Sequence, residues 1–334
     1  MAGAHPEIMD ELLRTNMEHT VGYGNDSYTA EARRLIREAV GCPHAEVFFL
    51  VGGTQTNATA IDGLLARHEG VLAAESGHIA VHESGAIEAS GHKVLTLPHR
   101  DGKVAAADVE RYIEEFYADD TYQHMVAPGM LYISQPTEFG AIYTLAELES
   151  LSAVCHSHDI PLYIDGARMA YGLKAEGADF TLRDIARFAD VFYIGGTKCG
   201  ALFGEALVVT NGGLLKNLFP LVKQHGALLA KGRLLGIQFG VLFRDGLYER
   251  IGEDAVKHAV RLRDAFRAAG YDMVVESPTN QQFVRLPNSV IDRLRESVSF
   301  DYWGPRGECE SVVRFVTSWA TTEQDVDKLC SLIE

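Results

Sequence analysis

Lys198 lies in the run DVFYIGGTKCGALFGEALVV, 33 residues after Asp165 in PLYIDGARMAYG. Each residue follows a short apolar run of β character, so both can reach the same end of a sheet. An amine there can hold an aldehyde as a Schiff base, and a carboxylate one strand away can keep a pyridinium nitrogen protonated. That pairing is what a polypeptide contributes to pyridoxal 5'-phosphate chemistry. Taken singly, Lys198 also reads as a surface lysine at a strand end, and Asp165 as a helix cap or turn residue. Burial disfavours the ammonium form, so a lysine just after a buried strand needs a task to hold its place. The glycines beside it permit close backbone approach. Thr197, immediately before the lysine, is a candidate phosphate ligand, a position that cofactor enzymes of this shape often use. Arg168 either pairs with Asp165 or reaches the ring hydroxyl or a substrate carboxylate.

Three further segments could complete such a site. Gly52-Gly53-Thr54-Gln55-Thr56 joins a predicted strand to a predicted helix, where free backbone N–H groups make an anion cradle. In AESGHIAVHESGA, His78 and His82 stand at helical i, i+4 spacing with Glu83 alongside. A metal pair is disfavoured because no third ligand is positioned; His78 reads better as a ring stacked on the cofactor, and His82 as a solvent-facing or packing residue. Arg314 in SVVRFVTSW interrupts an apolar strand. A mid-strand arginine is commonly an edge or outward residue, but in a cleft its planar fork suits a carboxylate. Lys231 and Arg233 in KGRLLGIQFG read as a helix start or a subunit contact.

These residues need a scaffold, and the chain supplies an alternating one. Helices are expected over PEIMDELLRTN, with Pro6 in the first turn, and over SYTAEARRLIREAVG, with Ser27 as cap and Gly41 as stop. Strand-like runs at 47–51, 71–75, 93–98, 130–134, 161–165, 191–195 and 206–210 then alternate with helical ones. Strands that are apolar throughout and separated by helices imply a mostly parallel sheet covered on both faces. Beyond about residue 240 a long helix, three strands and a final helix read as a small α+β unit. The expected division is 15–240 for a large cofactor-binding α/β domain and 241–334 for the small domain, with an N-terminal helix over 1–14 packing nearby.

The bulk composition narrows the function classes. The 334 residues are 47% hydrophobic and 23% charged, with a net charge of −16. That balance argues against nucleic acid or anionic membrane as partners. No apolar run approaches the roughly 20 residues of a membrane helix, and no signal peptide opens the chain. The five cysteines are scattered and never spaced as CxxC, which fits a reducing cytoplasm and neither a disulfide framework nor a zinc site.

Together these segments resemble the low-specificity L-threonine aldolases, within the β-eliminating lyase group of fold-type I pyridoxal-phosphate enzymes. GYGNDSY resembles that family's Gly-Asp-Asp-x-Tyr segment, VGGTQTNATA its phosphate loop, and ESGHIAVHESGA its ring-stacking histidine segment. YIDGARM matches its Asp-Gly-Ala-Arg motif, GGTKCGA stands at its lysine, and VVRFVTSW at its Val-Arg-Leu-Val-Thr-His strand. The resemblance implies Lys198 as the Schiff-base residue, Asp165 as pyridinium partner, His78 stacked on the ring, and Gly52, Gly53, Thr54 and Thr197 around the phosphate. It implies Arg314 and Arg168 for the substrate carboxylate. Three departures stand out. No Leu-Arg-Ser-Asp-Thr segment is present. QPTEFGA replaces Glu-Asn-Thr-His-Asn, putting Glu138 where the family has a histidine that reaches the substrate hydroxyl. KGRLLGIQ replaces Gly-Gly-Gly-Met-Arg-Gln, leaving Arg233 to do that arginine's work.

The expected reaction is retro-aldol cleavage of L-threonine or L-allo-threonine type β-hydroxy-α-amino acids to glycine and an aldehyde, with His78 as base and Glu138 as runner-up. The same scaffold also supports β-elimination, transamination or racemisation, or cofactor binding without turnover. Family analogy further implies a cytoplasmic homo-oligomer, dimer or tetramer, with sites shared between copies and Tyr28, Lys231 or Arg233 acting in trans.

Overall fold

The computed structural model describes residues 2–214 and 218–333. Seven strands form the main sheet: β1 (Glu46–Leu50), β2 (Glu69–Ala74), β3 (Val94–Leu97), β4 (Ala127–Ser134), β5 (Leu162–Gly166), β6 (Val191–Gly195) and β7 (Glu205–Val209). Their order is β1-β7-β6-β5-β4-β2-β3. Only β7 runs against its neighbours, pairing antiparallel with both β6 and β1. All seven runs expected from the sequence are strands, and the mostly parallel sheet has helices on both faces.

Four more strands, β8 (Asp272–Val275), β9 (Gln281–Pro287), β10 (Asp301–Tyr302) and β11 (Glu310–Val316), make an antiparallel sheet in the order β10-β11-β9-β8. It packs on the C-terminal helix Glu323–Ile333 and the end of the long helix Leu247–Ala268 through Leu262, Phe266, Val284, Leu286, Phe315 and Leu329.

The two faces of the main sheet differ. On one, Leu131, Ile133, Leu162, Ile164, Phe192, Ile194 and Val208 pack against helices that include Ser27–Ala39, Leu145–Ser157, Arg233–Phe243 and Leu247–Ala268. On the other, Tyr132, Tyr163, Tyr193 and Leu207 meet the helix Gly53–Leu64 and the short helices His78–Val81 and Ala86–Ala89. Successive strand residues point to opposite faces, so the two sets interleave in the chain.

Some local expectations need correcting. Ser27 is not the cap of its helix: Asp26 is, and its side chain accepts the N–H of Thr29 at 2.8 Å. A carboxylate one residue upstream satisfies the free N–H groups better than the Ser27 hydroxyl could from inside the first turn. KGRLLGIQFG, read as a helix start, does begin one at Arg233, and the helix Arg233–Phe243 is buried from Leu235 to Leu242. A helix apolar all round has no stripe for periodicity to detect. The helix Asn288–Arg295 and the two-residue strand β10 were not anticipated either.

Candidate active site

Three parallel strands end in the same pattern: Tyr-Ile-Ser in β4, Tyr-Ile-Asp in β5 and Tyr-Ile-Gly in β6. Register aligns Ser134 with Asp165, and Asp165 with Tyr193. The alternation therefore sends the isoleucines into the apolar face and lines up tyrosine, serine and aspartate on the other, at the carboxyl ends where α/β sheets bind ligands. Just beyond, the chain segments after β5 and β6 lie in direct contact. A Cβ on Gly166 would sit 2.1 Å from the Tyr193 carbonyl oxygen, and one on Gly195 would sit 2.4 Å from that of Ala167. Only glycines permit this approach, and it brings the turn bearing Lys198 over Asp165.

Lys198, Asp165, His78, Glu138, Arg168 and Gly53 line one cavity, together with Ser134, Pro136, Ala167 and Tyr193, with about 380 Å³ of free space counting its open mouth. The loop holding Lys198 is tied down on several sides. The Tyr171 hydroxyl donates to the Lys198 carbonyl, Tyr248 donates to the Gly195 carbonyl at 2.9 Å, and the Cys199 N–H closes a turn on Gly196. The Lys198 amine itself makes no hydrogen bond or ion pair with any described residue. Burial and the charge of Arg168 pull its pKa below the ordinary lysine value, while Asp165 and Glu205 oppose them.

Asp165 is held by three donors: Tyr132 Oη at 2.6 Å and Asn57 Nδ2 at 3.1 Å on Oδ2, and the Ala167 N–H at 2.9 Å on Oδ1. Asn57 also donates to Glu83 Oε1 at 2.8 Å and accepts from Tyr163 Oη at 2.8 Å. Glu83 Oε1 lies 2.7 Å from His78 Nδ1. A buried carboxylate next to Nδ1 favours the tautomer with its proton there, leaving Nε2 as the basic nitrogen. Glu138 Oε1 accepts the Ser134 hydroxyl at 2.7 Å and the His78 N–H at 3.1 Å. Its Oε2 is buried without a partner, and burial raises the Glu138 pKa. The network thus runs from Asp165 through Asn57 and Glu83 to His78, and from there to Glu138.

The helix Gly53–Leu64 begins beside the cavity. Gly52 caps it in an extended conformation, and nothing stands within 4 Å of where a Cβ on Gly52 would be. The N–H groups of Gly53, Thr54 and Gln55 find no acceptor among the described residues, whereas Thr56 N–H bonds the Gly52 carbonyl at 3.0 Å. A run of free N–H groups in open space fits a phosphate. An aldehyde-reactive amine, a multiply bonded carboxylate and that cradle fit the three polar ends of pyridoxal 5'-phosphate.

Other expected residues lie apart. Arg168 does not pair with Asp165: its guanidinium has no hydrogen bond or ion pair among the described residues, and burial with the nearby charge of Arg314 lowers its pKa. It faces the cavity as an uncompensated cation. Arg314, on β11, donates to Asp301 at 2.8 Å and to Gln281 at 3.2 Å, and lies over the Trp303 ring. It does not line the cavity, although its charge is felt by Arg168 and His82. The Thr197 hydroxyl is taken by the Gly204 N–H at 3.0 Å. Tyr28 donates to Glu18 at 2.5 Å and Arg233 donates to the Thr15 carbonyl at 2.7 Å, so within one chain they meet around residues 15–18 and not at Lys198. His82 is exposed, its ring centre 5.8 Å from that of His78, and no cluster able to hold a metal occurs among the described residues.

Sequence reasoning missed Asn57, Tyr132, Tyr163 and Glu205, and named Glu83 only beside a disfavoured metal pair. The repeated Tyr-Ile endings were a signal for the tyrosines. The others are single polar residues inside apolar runs or loops, and nothing local marks them.

Comparison with known proteins follows this geometry. Residues 1–289 match the family described as beta-eliminating lyase. A low specificity L-threonine aldolase of Pseudomonas sp. (strain NCIMB 10558) is 29% identical over 99% of this chain and 94% of its own length. The structure of a threonine aldolase from Leishmania major superposes with a TM-score of 0.96 at 44% identity, over 99% of this chain and 96% of that one. A structure from Listeria monocytogenes, named for L-allo-threonine, gives 0.76 at 18% identity, over 98% and 92% of the two chains, a likeness of fold alone.

Proposed function

The chain belongs to the β-eliminating lyase family, and from that premise we propose a pyridoxal 5'-phosphate-dependent aldehyde-lyase that splits L-threonine, L-allo-threonine and similar β-hydroxy-α-amino acids into glycine and an aldehyde. The observation that carries this reading is the meeting of Lys198, Asp165, His78 and Glu138 in one cavity at the mouth of a helix N-terminus. Bound there, pyridoxal 5'-phosphate supplies an electron sink for the bond broken at the substrate α-carbon.

Lys198 is the amine that would hold the cofactor aldehyde. Asp165, multiply bonded and unable to turn away, keeps the ring nitrogen protonated. Gly52, Gly53 and Thr54 hold the phosphate through backbone N–H groups, with Thr197 bracing the loop beside it. His78 would cover the ring, and its Nε2, the nitrogen left without a proton when Glu83 holds Nδ1–H, would take the β-hydroxyl proton. Glu138 is a second candidate for that proton because its Oε2 is buried without a partner. Arg168 and Arg314 are the cations available to a substrate carboxylate, and Arg314 must trade its bond to Asp301 for it.

The enzyme is further proposed to work in the cytoplasm as a homotetramer with shared sites. Met9, Leu13 and Met17 follow at i, i+4 along and just past the helix Pro6–Thr15 and are 47%, 77% and 84% exposed. A second copy laid over them would bury that apolar row and bring Arg233, Tyr28 and Lys231 beside another chain's cavity. Among the described residues no helix is long and apolar enough to cross a membrane.

The test is to incubate cofactor-loaded protein with a panel of β-hydroxy-α-amino acids and measure glycine and aldehyde. Ammonia and keto acid in their place would overturn the reaction. For the shared site, mixing inactive Lys198→Ala and Arg233→Ala proteins should restore part of the activity; no recovery would place both residues' work in one chain.

A further inference from the structure

Glu205 opens β7, the single antiparallel strand of the main sheet. Register sets it opposite Gly195 at the end of β6 and Leu50 at the end of β1. It therefore lies between the strand that leads into Lys198 and the strand that leads into Gly52 and Gly53. The side chain is buried at 4% exposure. Its Oε2 accepts the N–H of Gly196 at 2.9 Å, two residues before Lys198. Among the described residues no lysine, arginine or histidine forms an ion pair with it. A buried acid without such a pair is costly to ionise.

We propose that Glu205 is a positioning residue whose charge sets the proton occupancy of Lys198, holding the buried amine as ammonium to a higher pH than its other surroundings would allow. This rests on the reading of Lys198 as the aldehyde-capturing amine.

Capture requires the ammonium to release one proton. The free amine then bonds the aldehyde carbon, the carbonyl oxygen leaves as water, and the nitrogen regains a proton, so no oxidant or further reactant is needed. Four groups act on the amine: Arg168, Asp165, Glu205 and Cys199. Asp165 is already committed to Tyr132, Asn57 and the Ala167 N–H. Cys199 is held as a thiol, its pKa pushed up to about 12 by burial. Arg168 favours the free amine at every pH. Glu205 is left as the neighbour whose charge can change: burial pushes its pKa up to about 7, with Thr197, Gly196 and Lys198 opposing and Asp165 adding to the rise. Ionised, Glu205 favours the ammonium; protonated, it favours the free amine. Two such groups titrate as a pair.

The test uses protein stripped of cofactor, with pyridoxal 5'-phosphate as probe. The adduct is trapped with borohydride across a pH series, and modified Lys198 is counted by mass spectrometry. In Glu205→Gln the loss of a negative charge should move half-maximal capture to lower pH by about one unit. Glu205→Asp, which restores the charge, should move it back towards the wild-type value. An unchanged midpoint in Glu205→Gln overturns the proposal. If wild-type protein traps nothing at Lys198, the reading of Lys198 itself falls. Should Glu205→Gln fail to fold, Lys198→Met gives the reciprocal measurement. The infrared band of the protonated Glu205 carboxyl should persist to higher pH than in wild type, and no change there overturns the proposal too.

Discussion

The two faces of the main sheet are built from the same strands but do different work. Phe192 and Ile194 in β6 point to one face, Tyr193 to the other. The first face is packed with aliphatic and phenyl groups and contributes stability. The second is equally buried, yet its tyrosine hydroxyls and the carboxyls of Asp165, Glu83, Glu138 and Glu205 form one polar layer under the cavity. Its tyrosines fill space as core residues do and still aim a donor at a carboxylate. Burial raises proton affinities on both faces, at Cys155 on the first and Tyr132 and Glu138 on the second, but only the second brings such carboxyls to the cavity.

The contrast can be tested by substitutions on each face. The largest effect is expected on the polar face: Lys198→Ala should abolish turnover and the absorbance of bound cofactor while leaving thermal unfolding close to wild type. Surviving turnover would remove Lys198 from the chemistry. The matching change on the apolar face, Phe192→Ala, should cost about 3–5 kcal/mol in chemical denaturation, because it leaves a cavity in a closed core. Loss of activity in that variant should follow the unfolded fraction only.

Next is Glu138→Gln. If Glu138 takes the hydroxyl proton, kcat should fall on the order of 10²-fold with cofactor binding little changed. The pH profile provides a second check. Burial raises the Glu138 pKa, so the ionised, proton-accepting form is lost as pH falls through that raised value. Wild-type kcat/KM should then show an acid limb that Glu138→Gln lacks. A limb that persists assigns the base to His78. The smallest effect is expected for Tyr132→Phe, which removes one of three donors to Asp165 without opening a cavity. Cofactor affinity should weaken about tenfold, and the unfolding midpoint should barely move; a large stability loss would mean the two faces are less separate than described.

Much of this was legible in the chain. Apolar runs of five or so residues bounded by helical segments identify buried parallel strands, because covering both faces leaves no alternation to obscure them. Lys198 and Asp165 were visible because charged residues at the ends of such runs are costly without a role. The helix Arg233–Phe243 was legible only at its start, because it has no polar side to give the rest a period. Tyr28 and Arg233 were expected near the cofactor, yet in a single chain they bond at Glu18 and Thr15, and sequence carries no information about a neighbouring copy.

Local patterns and residue chemistry were enough to read the layered architecture, the seven strands of the main sheet and the amine–carboxylate pair, since these depend on short-range periodicity and on the cost of burying charge. Tertiary structure alone decided which polar residues surround that pair. Asn57, Glu83 and Glu205 are brought in from positions 108 residues before, 82 residues before and 40 residues after Asp165. Their proton affinities and hydrogen bonds arise from distances between strands and helices that no local pattern encodes.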